Sequence, residues 1–198
     1  MSVKKYKIKI CDRKSIKNFV ETWHYSKNIN GLKSNYCFGL FDNKNLIGVI
    51  MYGQIAMANV WKKYVKKEND LIELRRLCCI DDTPKNTESY FIGFTLRWLK
   101  KNTTYSKVIS YADKNYNHIG IVYKASNFQF QGMTNKGRVI VYDKKIYHDK
   151  TIRTKYKGKL KPYAQKIKQA LKEGKAYYKN TVGKNIYIYN LRKKENNQ

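Results

Sequence analysis

A chain of 198 residues, of which 42% are hydrophobic, can bury the core of one domain but hardly of two. It has no long apolar run and begins with a basic, alternating segment, so we expect neither a transmembrane helix nor a secretory signal. The 42 Lys and Arg residues outnumber the 14 Asp and Glu residues, and the net charge of +28 predicts a polyanionic partner. We therefore expect an intracellular protein that binds nucleic acid.

Apolar periodicity predicts an alternation of strands and helices along the chain. The segment SIKNFVETWHY has the spacing of an amphipathic helix, and Asn43-Lys44 between two apolar runs indicates a hairpin. Residues 55–70 are mixed and predict a loop. In chain order we predict strand 5–12, helix 15–25, strands 35–42, 45–53 and 70–80, helix 88–101, strand 107–113, short helix 119–127, strands 128–134 and 138–148, and a basic helical tail that ends in an aromatic hairpin at 176–191.

This order predicts an α/β fold of the α+β kind. It is the order that the GNAT acyltransferase fold would give, with a mixed, mostly antiparallel sheet flanked by helices. We predict a GNAT-like catalytic core at residues 1–143 and a basic helical and hairpin extension at residues 144–198, packed on the same domain.

The C-terminal extension concentrates the positive charge. Residues 144–194 contain 17 basic and 2 acidic residues, with tyrosines interleaved among them. Such a surface suits phosphate neutralisation and packing against sugars or bases. A membrane surface or an acidic protein is the alternative, but no amphipathic helix with Trp, Phe and Leu opposite its lysines stands out. We predict DNA contacts from His148, Arg153, Lys155 and Lys157.

The segment DDTPKNTES indicates a turn followed by the start of a helix. Pro84 and Asn86 favour the turn, and Thr87 or Ser89 can cap the helix. A helix N-terminus offers free N–H groups and a partial positive charge, and Lys85 adds a full charge. These residues suit the pyrophosphate of coenzyme A, although the usual Gly-rich Q-x-x-G-x-G loop is absent. An ordinary capped helix start, with no ligand, is the alternative.

Two consecutive arginines lie on the predicted strand 70–80. Because strand residues alternate between faces, either Arg75 or Arg76 must face the core side of the sheet, where an unpaired charge is costly. A phosphate or carboxylate partner, such as a phosphate group of the cofactor, would satisfy that arginine. Pairing with a buried Glu73 is the alternative.

Polar and titratable residues cluster where the strand 107–113 ends. Ser110, Tyr111 and Asp113 lie there, at the position where open α/β sheets place ligands. Asp113 could accept a proton, hold a metal ion or cap a turn. With His24 and His118 it would form a two-histidine, one-carboxylate set for Fe(II) if the three converge. The alternatives are a packed ring for His24 and a helix cap for His118.

Four segments resemble the bacteriophage Mom DNA-modification proteins, in the order of that family and over roughly residues 15 to 155. They are WHYSK at 23–27, ELRRL at 73–77, DDTPKNTESYFIGFTLRWLKK at 81–101 and SYADKNYNHIGIVYKASNFQFQG at 110–132. The Mom proteins are GNAT-like enzymes that modify the exocyclic amine of adenine in phage DNA and so shield it from host restriction. The resemblance implies a phage-encoded enzyme of the host cytoplasm that transfers a methylcarbamoyl or related acyl-derived group to adenine in double-stranded DNA.

The resemblance also implies roles for individual residues. Acetyl-CoA or a related acyl-CoA would be the donor, Asp113 or His24 the general base, and Tyr123 the acid that protonates the leaving thiolate. A ring in the core is the alternative for Tyr123. The catalytic residues expected on this basis are His24, Tyr25, Ser110, Asp113 and Tyr123.

An adenine amine inside a duplex is reachable only after the base leaves the stack. We therefore expect an extruded base to stack on Tyr25, Tyr111 or Phe128. Two other functions fit part of the pattern: a GNAT enzyme that acts on RNA or on a protein amine, and a non-catalytic protein that binds nucleic acid. The sequence does not indicate the oligomeric state.

Overall fold

The computed structural model describes residues 2–192. Within them the α-helices are α1 (Arg13–Trp23), α2 (Thr87–Asn102), α3 (Ile121–Ala125) and α4 (Pro162–Lys172). The strands are β1 (Lys7–Ile10), β2 (Ser34–Asp42), β3 (Asn45–Gly53), β4 (Leu71–Cys79), β5 (Lys107–Ala112), β6 (Gln129–Met133), β7 (Gly137–Tyr142), β8 (Lys145–His148), β9 (Lys155–Tyr156), β10 (Lys159–Leu160), β11 (Ala176–Thr181) and β12 (Asn185–Asn190).

The chain divides into two compact units. The first contains the residues up to Ala112, His118–Gly132 and the residues from Asn185 onward; the second contains Asp113–Asn117 and Met133–Lys184. The boundary predicted after residue 143 falls in the turn between β7 and β8.

The main sheet has seven strands in the order β1-β2-β3-β4-β5-β12-β6. The pairs from β1 to β4 are antiparallel, β4 and β5 are parallel, and β5 and β12 are antiparallel. The predicted hairpin at Asn43-Lys44 is confirmed, since β2 and β3 pair on either side of it. The sheet is therefore mixed and mostly antiparallel, as the sequence predicts.

Helices cover both faces of this sheet because neighbouring strand residues point to opposite sides. On β3, Met51 packs in one cluster with Val20 of α1, whereas Tyr52 packs in another with Phe91 of α2. Tyr52 is fully buried, and its hydroxyl is hydrogen-bonded to Thr95 of α2 at 2.8 Å. This bond satisfies two polar groups inside the core, where an unpaired hydroxyl would destabilise the fold.

Strands β4 and β5 pair only along their first residues. The register ends at Leu74 and Ser110, although β4 continues to Cys79 and β5 to Ala112. Beyond that pair, β4 remains bonded to β3 and β5 to β12. The two central strands therefore part at Ser110, and we call this point the fork.

The second unit has a three-stranded sheet in the order β11-β7-β8 and a two-stranded pair of β9 and β10. Its core joins Ile140 of β7 to Ile167 and Ala170 of α4 and to Ala176 of β11. The unit carries 17 Lys and Arg residues against 4 Asp and Glu residues.

The predicted aromatic hairpin at residues 176–191 is wrong. β11 pairs with β7, whereas β12 pairs with β5 in the main sheet. The reason lies in burial: Ile186, Tyr187 and Ile188 of β12 are all buried, whereas Tyr177 of β11 is 61% exposed. A hairpin would leave the apolar residues of β12 in water, and their insertion into the main sheet stabilises the fold.

No helix within residues 2–192 is both long and apolar enough to cross a membrane.

Candidate functional site

The fork places a half-buried tyrosine next to a buried serine. Ser110 is fully buried, and its Oγ donates to the carbonyl oxygen of Leu74 at 3.3 Å, across the last pair of the two strands. The hydroxyl of Tyr123, on α3, is hydrogen-bonded to Ser110. The Tyr123 ring packs against Phe128 and Tyr187, with centroids 5.5 and 5.4 Å apart. Packing and hydrogen bonding therefore hold the Tyr123 hydroxyl at the fork.

Tyr123 stays protonated at physiological pH. Burial raises the pKa of its hydroxyl to about 12, although the hydrogen bond with Ser110 acts in the opposite direction. The nearby Tyr25 and Glu73 side chains raise the pKa further. A hydroxyl of this kind can donate a proton to a leaving group, which is the role expected for Tyr123.

Three rings adjoin one another beside the fork. The ring centroids of His24 and Tyr25 are 4.2 Å apart, and those of Tyr25 and His118 are 5.0 Å apart. Tyr25 is 38% exposed, and His118 is also exposed. The structure thus brings together the three predicted residues His24, Tyr25 and His118, and it leaves part of the Tyr25 ring open to a ligand.

His24 is neutral and a weak base. Burial, followed by the charge of Arg76 and the proximity of His118, lowers the pKa of the His24 imidazole to about 3. Its Nδ1 accepts a hydrogen bond from the backbone N–H of Ser26 at 3.1 Å, so the proton of the neutral ring resides on Nε2. An imidazole with so low a pKa is a poor proton acceptor, so we favour another role for His24, a hydrogen bond donated through Nε2.

Asp113 belongs to the second unit and forms an ion pair there. Its Oδ2 lies 2.8 Å from Nζ of Lys184, and its Oδ1 accepts from the side-chain amide of Asn115 at 2.8 Å. Burial alone would raise the pKa of the Asp113 carboxyl, but Lys184 and Asn115 outweigh that effect and hold it below its usual value. Asp113 is therefore ionised at neutral pH.

The predicted Fe(II) site is not formed. Among residues 2–192, no three His, Cys, Asp or Glu side chains come together in a group that could hold a metal ion. The Nδ1 of His24 is occupied by Ser26, and Asp113 is paired with Lys184. His24, Asp113 and His118 therefore do not form a metal centre in the part of the chain that the structure describes.

Arg75 and Arg76 are engaged by the protein itself. Arg75 donates to the carbonyl oxygen of Gln54 at 2.7 Å, and its Nε lies 3.4 Å from the Glu73 carboxylate. Arg76 donates to the carbonyl oxygen of Asn28 at 3.0 Å. These contacts engage part of each guanidinium group and give both arginines a role in fixing two loops, and their role as cofactor ligands stays a prediction.

The N-terminus of α2 offers two backbone donors. Asn86 adopts the left-handed conformation before the helix and makes no side-chain cap. Within the described residues, the N–H groups of Glu88 and Ser89 have no acceptor, and Lys85 is exposed beside them. The Thr87 hydroxyl is buried and donates to the carbonyl oxygen of Pro84 at 2.6 Å, so it does not offer a hydrogen bond to a cofactor phosphate.

This helix end fits a phosphate group of an acyl-CoA donor. Unpaired N–H groups at the start of a 16-residue helix attract an anion through hydrogen bonding and the helix dipole. The hydroxyl of Ser89 donates to the carbonyl of Asn86 at 3.0 Å, so Ser89 would contribute its backbone N–H. Lys85 would add a positive charge, and Glu88 in the first turn opposes it.

Two residues predicted to stack on a base are less exposed than Tyr25. Phe128 is only 5% exposed and packs between the rings of Tyr123 and Tyr189. The Tyr111 hydroxyl is buried without a hydrogen-bond partner among the described residues. Burial raises the pKa of that hydroxyl, with a further contribution from Glu73. Of the three predicted stacking residues, Tyr25 alone has a substantially exposed ring.

The predicted DNA contacts lie in the second unit and are exposed. His148, Arg153, Lys155 and Lys157 all have exposed side chains. Arg153 is 66% exposed and lies 3.0 Å from Asp149, so its guanidinium remains accessible to a phosphate.

Sequence reasoning missed two residues of the site. Glu73 was considered only as a partner for the arginines, yet it is buried, and its charge raises the pKa of Tyr123. Tyr187 donates to the carbonyl oxygen of Ile119 at 2.7 Å and packs against Tyr123. The alternating NIYIYN segment that contains Tyr187 could have indicated a strand of the main sheet.

Comparison with known proteins gives a family and a fold. A family model described as the Mom protein family matches residues 5–198. The methylcarbamoylase mom of Escherichia phage Mu is 29% identical over 146 residues, which are 72% of this chain and 59% of that protein. This chain therefore covers less than two thirds of that relative's length.

Solved structures share the fold at low sequence identity. An acetyltransferase from Bacillus subtilis in complex with CoA has a TM-score of 0.56 and 11% identity, with 95% of this chain and 100% of that chain covered. NAA60 from Arabidopsis thaliana in complex with acetyl-CoA has a TM-score of 0.54 and 10% identity, with 93% and 98% covered. The predicted fold class, that of the GNAT acetyltransferases, is confirmed.

Proposed function

The chain belongs to the Mom protein family, and on that basis we propose that it transfers an acyl-derived group, of the methylcarbamoyl kind, to the exocyclic amine of adenine in double-stranded DNA. One observation supports this most: the half-exposed ring of Tyr25 adjoins His24 and His118, and Tyr25 influences the pKa of the Tyr123 hydroxyl at the fork. A flat aromatic surface thus lies beside a proton donor. That combination suits chemistry on an extruded base.

The acceptor explains the need for an aromatic surface. The lone pair of the adenine amine is shared with the ring, and the amine is buried in the duplex, so the base must leave the stack before it reacts. Tyr25 would stack on the extruded base, at a gain of about 1–3 kcal/mol for such a contact. His24 would offer a hydrogen bond from Nε2 to a ring nitrogen of the base.

The donor would be an acyl-CoA, held by the N–H groups of Glu88 and Ser89 and by Lys85 at the start of α2. Such a donor supplies an activated acyl group on a thiol leaving group. A methylcarbamoyl product contains a nitrogen that acetyl-CoA lacks, so an additional step or a second donor would supply that nitrogen. Tyr123, protonated at neutral pH, would give a proton to that thiolate. Ser110 orients the Tyr123 hydroxyl through their hydrogen bond.

The proton of the amine requires an acceptor, and two carboxylates are candidates. Asp113, predicted from the sequence, is ionised at neutral pH. Glu73 lies within electrostatic reach of Tyr123. The variants Asp113→Asn and Glu73→Gln separate them: the acceptor is the one whose amide abolishes activity while the free energy of unfolding is preserved.

DNA would be held by its phosphates. The second unit carries 17 basic and 4 acidic residues, and its exposed lysines and arginines suit the neutralisation of phosphates. Modified adenine would shield phage DNA from restriction in the host cytoplasm. This role rests on family membership and on the charge of the chain.

The test is the nucleoside content of DNA. Plasmid DNA from cells that express the wild type, Tyr123→Phe or the exposed control Tyr177→Phe is digested to nucleosides and compared by mass spectrometry. We expect a new deoxyadenosine derivative with the wild type and the control, reduced at least about 100-fold in Tyr123→Phe. Unmodified DNA in cells that contain folded wild-type protein would disprove the proposal, and a modified RNA nucleoside or protein amine would replace it.

A further inference from the structure

Two isoleucines of the first unit project into solvent where α3 begins. Ile119 is 52% exposed and Ile121 is 70% exposed, and Gly120 between them is buried. Single exposed apolar residues are common on protein surfaces, but two large branched side chains on either side of one glycine form a concentrated apolar tip. We call residues His118–Ile121 the isoleucine tip.

The isoleucine tip is held rigidly from below. The carbonyl oxygen of Ile119 accepts hydrogen bonds from the Tyr187 hydroxyl at 2.7 Å and from the Asn185 side chain at 3.1 Å, and both donors are buried. Gly120 adopts a φ of +89°, and a Cβ there would overlap the Tyr187 ring. A loop that only had to connect two elements would not require this support, because such loops are usually mobile.

The tip continues directly into the candidate site. His118, its first residue, contacts the Tyr25 ring with centroids 5.0 Å apart. Tyr123, whose hydroxyl lies at the fork, follows Ile121 within α3. The apolar tip and the aromatic surface proposed to receive an extruded base are therefore neighbours on the same support.

The charge of the chain favours a polyanion. Residues 118–132, which belong to the first unit with the tip, contain Lys124 and no Asp or Glu, and the whole chain has a net charge of +28. Exposed apolar side chains on so basic a protein suit duplex DNA, in which an apolar base stack lies between two rows of phosphates. A protein partner that covered the two isoleucines would itself need an acidic surface to match this charge.

The geometry points to a wedge: Ile119 and Ile121 enter the base stack of duplex DNA and occupy the space beside the base that rotates onto Tyr25. Inserted Leu, Ile and Phe side chains unstack base steps in other DNA-binding proteins, and a rigid support lowers the conformational entropy lost on insertion. This inference rests on the proposed function for its choice of base, but insertion itself does not depend on any transferred group.

Insertion can be measured without chemistry, because a side chain that opens a base step untwists the duplex. Relaxed closed-circular plasmid is incubated with the protein, treated with topoisomerase I and deproteinised, and its linking number is read on a gel. The variant is Ile119→Ala with Ile121→Ala. The control is Ile10→Ala, which removes a 56% exposed isoleucine of β1 from the same unit. All three proteins have the same charge, so phosphate binding alone affects them equally.

We expect the wild type and Ile10→Ala to shift the linking number in proportion to bound protein, and the double variant to shift it less than about one third as much at equal occupancy. An equal shift by the double variant, or none by the wild type, overturns the wedge. Loss of DNA-independent self-association in the double variant, with no change in DNA topology, would assign the tip to contact between copies of the chain.

Nucleoside analysis of the same plasmids keeps the two proposals apart. If the wild type shifts the linking number but leaves adenine unmodified, the proposed function fails and the wedge stands. If adenine is modified and the double variant modifies it as fully as the wild type, without any difference in DNA topology, the wedge fails and the function stands.

Discussion

The hydroxyls of Tyr123 and Ser110 are hydrogen-bonded at the point where the two central strands separate. Ser110 also donates to Leu74 on the neighbouring strand, so the position of the tyrosine hydroxyl is tied to the backbone of the sheet. A proton donor fixed in this way does not have to be ordered when a substrate binds, and preorganisation of this kind lowers the barrier to reaction.

The first prediction concerns alkaline pH. Because burial raises the pKa of Tyr123 to about 12, the group that must be protonated for activity stays protonated well above neutral pH. We expect modification rates to show no loss attributable to Tyr123 between about pH 8 and 10, the range below the pKa of an unperturbed tyrosine. Rates measured on plasmid DNA across that range, with unfolding followed in parallel, check this. A fall in the modification rate across this range that disappears in Ser110→Ala but persists in the control Ser15→Ala would contradict this prediction.

The second prediction concerns acid stability and His24. The pKa of His24 is about 3 in the folded protein against 6.5 for the free side chain, so the unfolded chain binds more protons between these values. The free energy of unfolding should therefore fall as the pH drops from about 6.5 toward 3. Between pH 6.5 and pH 4, we expect the free energy of unfolding of the wild type to fall by up to about 3 kcal/mol more than that of His24→Gln.

The measurement is urea denaturation at several pH values. The control is Asn30→Gln, which replaces an exposed side chain that carries no titrating proton and should leave the pH dependence unchanged. An equal pH dependence in the wild type and His24→Gln would show that protonation of His24 does not lower the free energy of unfolding. Its ring would then be more open to water than the structure indicates.

The third prediction concerns the ion pair of Asp113 with Lys184. The pKa of Asp113 is lowered in the folded protein, so the pair stabilises the fold above the pKa of the unfolded carboxyl, and this stabilisation is lost as the pH falls through the lowered value. Lys184→Met would leave a buried carboxylate without its cation. We expect a loss of about 1–2 kcal/mol at pH 7, modest because Lys184 is 46% exposed.

Lys184→Arg is the matched control, since it keeps the positive charge and should retain most of the stability. Denaturation at pH 7 and at pH 3 distinguishes the cause: the difference between Lys184→Met and the wild type should shrink at the lower pH, where the carboxyl begins to take up its proton. A difference that is independent of pH would indicate lost packing of the lysine stem instead.

Much of the main sheet could be predicted because its signals are local. Helical spacing fixed α1, and the Asn43-Lys44 turn between two apolar runs fixed the β2 and β3 pair. The pairing of β12 could not be read in this way. Its residues alternate as those of β11 do, and only the burial of Tyr187 under Gly120, 67 residues earlier in the chain, decides which sheet it joins.

The candidate site was predictable in its residue types and less so in their roles. Tyr25, His118 and Tyr123 were identified from motifs that lie near one another in the fold. The partners of Arg76 were not predictable, since Asn28 lies 48 residues away and offers a backbone carbonyl, which any residue type has. The low pKa of His24 comes first from burial of its ring and then from the charge of that same arginine, and neither cause can be read from the local sequence.

The last prediction separates phosphate contacts from base contacts through their response to salt. Lys155 and Lys157 are exposed in the second unit, and each would neutralise about one phosphate if it contacts DNA. Replacing either with Ala should weaken duplex binding similarly for all sequences and reduce the slope of log affinity against log salt by about 1. Ile119→Ala with Ile121→Ala should leave that slope unchanged, because no charge is removed. The measurement is the binding of labelled duplexes of about 30 bp, or three helical turns, at salt concentrations from low to physiological.

An unchanged slope in both lysine variants would show that the DNA-binding surface lies away from this part of the second unit. A reduced slope in the isoleucine variant would show that its loss of affinity comes from displaced phosphates.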